Sequence, residues 1–151
     1  MTINTTQKSV LFVKNEAKGQ VVTCKEGLSF WGGVDPDTGV IIDVHHPNHG
    51  EKLAGKIVLM PTSRGSCSGS GVLLQLARNG FAPKALVFRE TEDILTLGAF
   101  IAARLFNSHI AVLRLATEIY DALSTSKEAE INDNTLHFLG QSIPLNLPNT
   151  Q

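Results

Sequence analysis

Cysteine is nearly missing from this chain, which has only Cys24 and Cys67 among 151 residues. So small a number excludes a disulfide framework and a four-thiolate metal centre held by this chain alone. Neither residue belongs to a Cys-x-x-Cys pair, so both read as free thiols of a reducing compartment. An excess of either charge is missing too: 13 lysines and arginines face 14 aspartates and glutamates, dispersed along the chain. No basic face for nucleic acid follows from that balance, and the expected partners are a small molecule or another protein. Long apolar runs are absent as well, none nearing the roughly 20 residues that cross a bilayer. Met1–Val10 is polar rather than a charged-then-apolar leader, so the expectation is a cytoplasmic protein without membrane contact.

What is present suffices for one domain, since 42% of the residues are hydrophobic and can bury a core. The expected organisation is a flexible N-terminus over 1–7, one domain over 8–140 and a flexible tail over 141–151. Val10–Val13 and Gln20–Thr23 read as a pair of short strands separated by Ala17-Lys18-Gly19. Asp35-Pro36-Asp37-Thr38-Gly39 predicts a tight reversal before a strand over Val40–Val44. Then come strand 56–60, helix 70–79, strand 85–88, helix 92–104 and strand 110–115, the alternation that makes parallel crossovers. A last strand is expected over Leu136–Gly140. The result is an α/β fold, a mixed sheet with parallel β-α-β crossovers.

The chemistry is concentrated in Pro61-Thr62-Ser63-Arg64-Gly65-Ser66-Cys67-Ser68-Gly69-Ser70-Gly71, between the apolar strand over 56–60 and the first helix. A helix start there presents unpaired N–H groups and the positive end of the helix dipole, which favour an anion beside Ser66, Ser68 and Ser70. Gly65, Gly69 and Gly71 let a ligand approach the backbone, and Arg64 can pair with a carboxylate or phosphate. No Lys-Ser/Thr follows Gly69 or Gly71, so the loop is not a nucleotide P-loop.

Several other readings compete. Gly65-Ser66-Cys67-Ser68-Gly69 has the spacing of a nucleophile elbow with Cys67 as the thiol, and Asp93 or Asp121 with His109 or His137 could complete a triad. Such a hydrolase sheet needs more strands than this length supplies. A small-anion binding module without catalysis is the plainest alternative. His45-His46-Pro47-Asn48-His49 is suggestive of a metal cluster, but adjacent histidines in a tight turn cannot all aim at one point, so they read as loop histidines. Trp31 reads as an anchor for its turn, and Glu90, Glu92 and Asp93 as the acids that a helix start prefers.

Four blocks carry a resemblance: Ser29-Phe30-Trp31-Gly32-Gly33-Val34-Asp35-Pro36-x-Thr38-Gly39, Gly55-Lys56, Gly65-Ser66-x-Ser68-Gly69-Ser70 and Leu95-x-Leu97-Gly98. Together they resemble the swivelling-domain small subunit of aconitase X, in register over residues 17–115. The resemblance implies a swivelling β/β/α fold and a hydro-lyase active only with a large subunit, on which the iron or iron–sulfur centre resides. It implies no metal on this chain. It places the proton acceptor on Ser66; the expected substrate-binding residues around it are Arg64, Gly65, Cys67, Ser68, Gly69 and Ser70, with Arg64 and the backbone N–H groups near Ser68 to Gly71 expected to hold the substrate carboxylate. Gly71 and Phe88-Arg89-Glu90-x-x-Asp93-Ile94-Leu95-Thr96-Leu97-Gly98 are similar to bacterial members, which dehydrate cis-3-hydroxy-L-proline; archaeal members act on mevalonate 5-phosphate and tend to carry an aromatic residue where Gly71 stands. A serine hydroxyl ionises far above neutral, and a helix terminus contributes at most about 2 kcal/mol. The expected chain is therefore inactive alone.

Overall fold

The computed structural model describes residues 9–148, so the expected flexible segment 1–7 lies outside the described residues. Strands β1 (Val10–Val13), β2 (Ala17–Thr23), β3 (Ile57–Met60), β4 (Ala85–Phe88) and β5 (Ala111–Arg114) are followed by β6 (Glu128–Asn132), β7 (Thr135–Phe138) and β8 (Gln141–Pro144). Helices α1 (Ser68–Asn79) and α2 (Ile94–Phe106) follow β3 and β4, and α3 (Thr117–Leu123) follows β5. All eight strands join one mixed sheet in the order β1-β5-β4-β3-β2-β6-β7-β8. β2 to β5 are mutually parallel, β1 runs antiparallel to β5, and β6 to β8 form an antiparallel meander on β2.

The two ends of the sheet meet. The Leu11 N–H donates to the Asn146 carbonyl at 2.9 Å, and the Asn146 N–H donates to the Ser9 carbonyl at 2.8 Å. The sheet is thus curled, with an apolar core on each face. Val22, Val58, Met60, Leu86, Phe88 and Val112 pack on the α1–α2 side with Leu73, Leu76, Leu95 and Ala99. Ile57, Leu59, Ala85, Val87, Ala111 and Leu113 face the other way, against Ile119, Tyr120 and Leu123 of α3 and Leu136 and Phe138 of β7. Burial on both faces explains why β3 and β4 are continuous apolar runs rather than alternating ones.

Three expectations are corrected. β1 and β2 do not pair; three parallel strands lie between them, because β1 takes the edge beside β5. Val40–Val44 is not a strand: only isolated bridges, Val34 with Ile41 and Val40 with Lys52, form there. The Asp43 carboxylate takes the His45 N–H at 2.9 Å and turns the chain, the usual competition of a short polar side chain with a ladder. The tail from residue 141 is paired rather than loose, since β8 lies on β7 and Leu145 is buried. Helix α1 starts two residues earlier than expected and ends at Asn79 as expected, whereas α2 starts and ends two residues later.

Candidate functional site

Because β2 to β5 run parallel, their C-terminal ends share one edge of the sheet, and the segments leaving β3 and β4 lie side by side there. This is where open α/β sheets bind ligands. Pro61–Cys67 leaves β3 and runs beside Leu28, with a parallel bridge between Leu28 and Ser63 and the Arg64 N–H donating to the Leu28 carbonyl at 3.3 Å. Gly65 is required: its φ is +92°, and a Cβ there would lie 2.6 Å from the Ser29 Oγ. The block around Ser29 and the serine loop, widely separated in sequence, therefore touch at this residue.

The loop enters α1 through Cys67, the residue before the helix, whose backbone angles are already helical and whose side chain makes no capping bond. Capping falls to its neighbours. The Ser66 Oγ accepts the Ser68 N–H at a long 3.4 Å, and the Ser66 carbonyl accepts the Gly69 N–H at 3.2 Å. The Cys67 carbonyl accepts the Ser70 N–H at 3.1 Å and the Ser70 hydroxyl at 2.7 Å. Arg64, Gly65, Ser66, Cys67 and Ser68 are exposed, Gly69 is buried, and Ser70 is half-buried. Two expectations shift accordingly. The N–H groups of Gly69 and Ser70 are engaged in the turn, which leaves the Ser68 N–H, weakly held, as the donor nearest Ser66. The Arg64 guanidinium lies 3.6 Å from the Glu26 carboxylate in solvent, so it must exchange that partner to reach a substrate. Exposed pairs of this kind are worth about 0–1 kcal/mol, a small obstacle.

One residue with a structural part in the site was read from the sequence only as a helix-start acid. Glu92 is buried, and its Oε1 accepts the Ser63 hydroxyl at 2.6 Å and the Leu95 N–H at 2.7 Å. Its Oε2 accepts the Thr96 N–H and the Thr96 hydroxyl, each at 2.9 Å. One carboxylate thereby caps α2 and anchors the base of the serine loop. Its position at a helix start signalled the first task; nothing local signalled the second, because Ser63 lies 29 residues away.

The cysteine triad does not assemble. His109 precedes β5, at the sheet edge opposite the serine loop, and its ring nitrogen meets Asn107 at 3.0 Å. His137 of β7 stands opposite Glu130 of β6, which stands opposite Lys18 near the start of β2, again toward that far edge. β7 is three strands from β3, about 14 Å at ordinary strand spacing. Cys24 is no alternative nucleophile: burial first and then Glu51 push its thiol up to about 12. His46 is buried as a clamp, its Nδ1 accepting the Asn48 N–H at 3.0 Å and its Nε2 lying 3.1 Å from the Glu26 carbonyl. Among the described residues no group of three or more His, Cys, Asp or Glu side chains could hold a metal ion. An open groove of about 990 Å³ elsewhere is lined by Lys18, Gln20, Glu128, Glu130 and His137 among others, and by none of the serine loop.

With this geometry in hand, known proteins agree on the fold and the loop's family. The model of the aconitase X swivel domain matches residues 6–138. The chain is 44% identical over 133 residues to a cis-3-hydroxy-L-proline dehydratase of Hypocrea jecorina, covering 88% of this chain and 22% of that protein. A Pseudomonas aeruginosa protein of the same name is 43% identical over 124 residues, covering 82% of this chain and 21% of that protein. This chain thus spans about a fifth of the length of these two relatives. It is 45% identical over 104 residues to a phosphomevalonate dehydratase small subunit of Pyrococcus abyssi, covering 69% of this chain and 80% of that protein. The crystal structure of Thermococcus kodakaraensis aconitase X in its holo-form superposes with a TM-score of 0.74 at 31% identity, over 87% of this chain and 96% of that one.

Proposed function

The chain belongs to the aconitase X swivel-domain family, and on that premise we propose that it is the small, closing component of a two-component hydro-lyase in which Ser66 removes a proton from the substrate. The observation that carries the proposal is the exposed Ser66 hydroxyl, set at the C-terminal edge of the parallel strands against the first turn of α1. Its oxygen already accepts the Ser68 N–H, and that bond shortens and strengthens as negative charge develops on the oxygen. One N–H and a helix terminus worth at most about 2 kcal/mol do not bring a serine near neutral ionisation. The rest of the stabilisation must come from a facing component in a closed cleft from which water is expelled. The described residues offer no set of ligands for iron or an iron–sulfur cluster, so such a group would belong to the larger component.

The substrate we propose is cis-3-hydroxy-L-proline. Support comes from the extent of similarity, which covers 88% of this chain with the Hypocrea jecorina enzyme and 69% with the Pyrococcus abyssi subunit. Gly71 fits the same reading, because a Cβ there would meet nothing within 4 Å, leaving the first turn of α1 open beside the loop. Ser66, as the alkoxide, takes the proton from the carbon bearing the carboxylate, the hydroxyl on the adjacent carbon departs with its electron pair and recovers that proton from Ser66 to leave as water, and the enamine tautomerises to Δ1-pyrroline-2-carboxylate. Arg64, released from Glu26, is the donor suited to the carboxylate. The test is to co-express the chain with the larger dehydratase component of the same genome and assay cis-3-hydroxy-L-proline against mevalonate 5-phosphate. Turnover of the hydroxyproline alone is expected; turnover of the phosphate ester alone would reassign the substrate, and turnover of neither would end the proposal.

A further inference from the structure

Helix α2 is apolar nearly all round. Its inward residues Leu95, Gly98, Ala99 and Ala102 are buried against α1 and the sheet. Its outward side carries Leu97, 57% exposed, and Phe100, 49% exposed, where a surface helix would carry charge. The helix has one charged residue, Arg104, and even its guanidinium lies 5.9 Å from the centre of the Phe100 ring. α1, lying beside it, is ordinary by comparison, exposing Gly71, Gln75, Arg78 and Asn79. A helix without a polar face is one that something else covers.

The first turns of α2 pack on the first turn of α1, into which the serine loop runs. A Cβ on Gly69 would lie 3.6 Å from the Ile94 side chain in the first turn of α2 and 3.7 Å from the Phe30 Cβ, and a Cβ on Gly98 would lie 3.1 Å from the Ser70 carbonyl. On the other flank of the loop stands Trp31, 66% exposed. Leu97 lies in the same turn of α2 as Ile94, so a partner that covers about 800 Å² of this domain, the ordinary share of a stable interface, is large enough to reach from Leu97 to the serine loop. The relatives indicate which partner: this domain is only about a fifth of the Hypocrea and Pseudomonas dehydratases, so the same fold there accompanies four-fifths of a polypeptide that it does not contain. A second copy of this chain would bring nothing new to Ser66.

We propose that the outward face of α2, centred on Leu97 and Phe100, is the surface on which the larger dehydratase component seats, an inference that rests on the two-component reading above. Aromatic and leucine anchors at the centre of such a face dominate association. Leu97→Asp and Phe100→Asp should each weaken binding of the chain to the co-expressed larger component about thirtyfold or more, as a hot-spot residue does. Gln75→Glu on the exposed side of α1 should bind as the wild type does. Thermal melting of each variant checks the fold, and Phe100→Ala, which adds no charge, carries the test should an aspartate variant melt early. Binding equal to wild type by Leu97→Asp and Phe100→Asp would overturn the inference while leaving the two-component reading intact. Self-association of the wild-type chain that Phe100→Asp abolishes would make the occupant a second copy and overturn it as well. Failure of the wild-type chain itself to bind the larger component would remove the two-component reading, and this inference with it.

Discussion

Gly65 shows how one residue sets the position of Ser66. Its φ of +92° lies where side chains are strained, by about 1–2 kcal/mol for a left-handed residue. Alanine would add a Cβ 2.6 Å from the Ser29 Oγ and 3.2 Å from its Cβ, so the loop or the Ser29 turn must move. Gly65→Ala is expected to lower unfolding stability by at least about 1 kcal/mol in urea and to cost activity of the assembled enzyme beyond that loss. Adding Ser29→Ala, which removes the closest atom, should recover part of both. An unchanged urea midpoint in the single variant would show that the turn is not under the constraint described. The glycines and serines of this loop were legible because composition alone marks a tight turn; the contact with Ser29 was not, since 36 positions separate the two residues and no local pattern spans them.

At the level of elements, the parallel segment from β3 to β5 was readable because short apolar runs buried on both faces alternate with helices closed by Gly80 and Asn107, both left-handed. Less visible was the meander. The β6–β7 turn, Asp133-Asn134, has both residues at positive φ, 53° and 56°, the two-residue hairpin geometry that Asn and Asp favour. The next turn uses Leu139 and Gly140 at 48° and 73°, and a leucine there carries no hairpin signal. α3 has seven residues, too few for a helical period to declare itself. The joint between elements that matters most to the site is Glu92. Glu92→Ala would strand the Leu95 and Thr96 N–H groups and release the Ser63 hydroxyl, at an expected cost of about 1–3 kcal/mol in chemical unfolding. Ser63→Ala should cost less, because it leaves the cap of α2 in place. Equal stability of Glu92→Ala and wild type would show that the carboxylate does not anchor the loop.

For the whole molecule, closure of the sheet is what a boundary at residue 140 missed. Polar residues after Gly140 look like a tail, yet Leu145 is buried and residues 9–11 bond to Asn146 across 135 or more positions of sequence. Ending the chain at Gly140 removes β8, the Leu145 side chain and those bonds, and should lower stability by about 2 kcal/mol or more. An unaltered denaturant midpoint in the truncated chain would contradict the closed arrangement. Closure also bears on the proposed function, because a small domain proposed to close against a larger one must keep its own shape while doing so. Two cores on either side of a curled sheet give it that rigidity, with the serine loop and the outward face of α2 left on its surface.

The central claim is that Ser66 acts as a base only when the larger component faces it, and replacement of that one hydroxyl tests it most directly. The measurement is steady-state dehydration of cis-3-hydroxy-L-proline by the assembled Ser66→Ala enzyme, with association of the two components measured in parallel. The account predicts a loss of about a hundredfold or more in kcat with association unchanged. Dehydration within a few-fold of wild type by an assembled Ser66→Ala enzyme would contradict it.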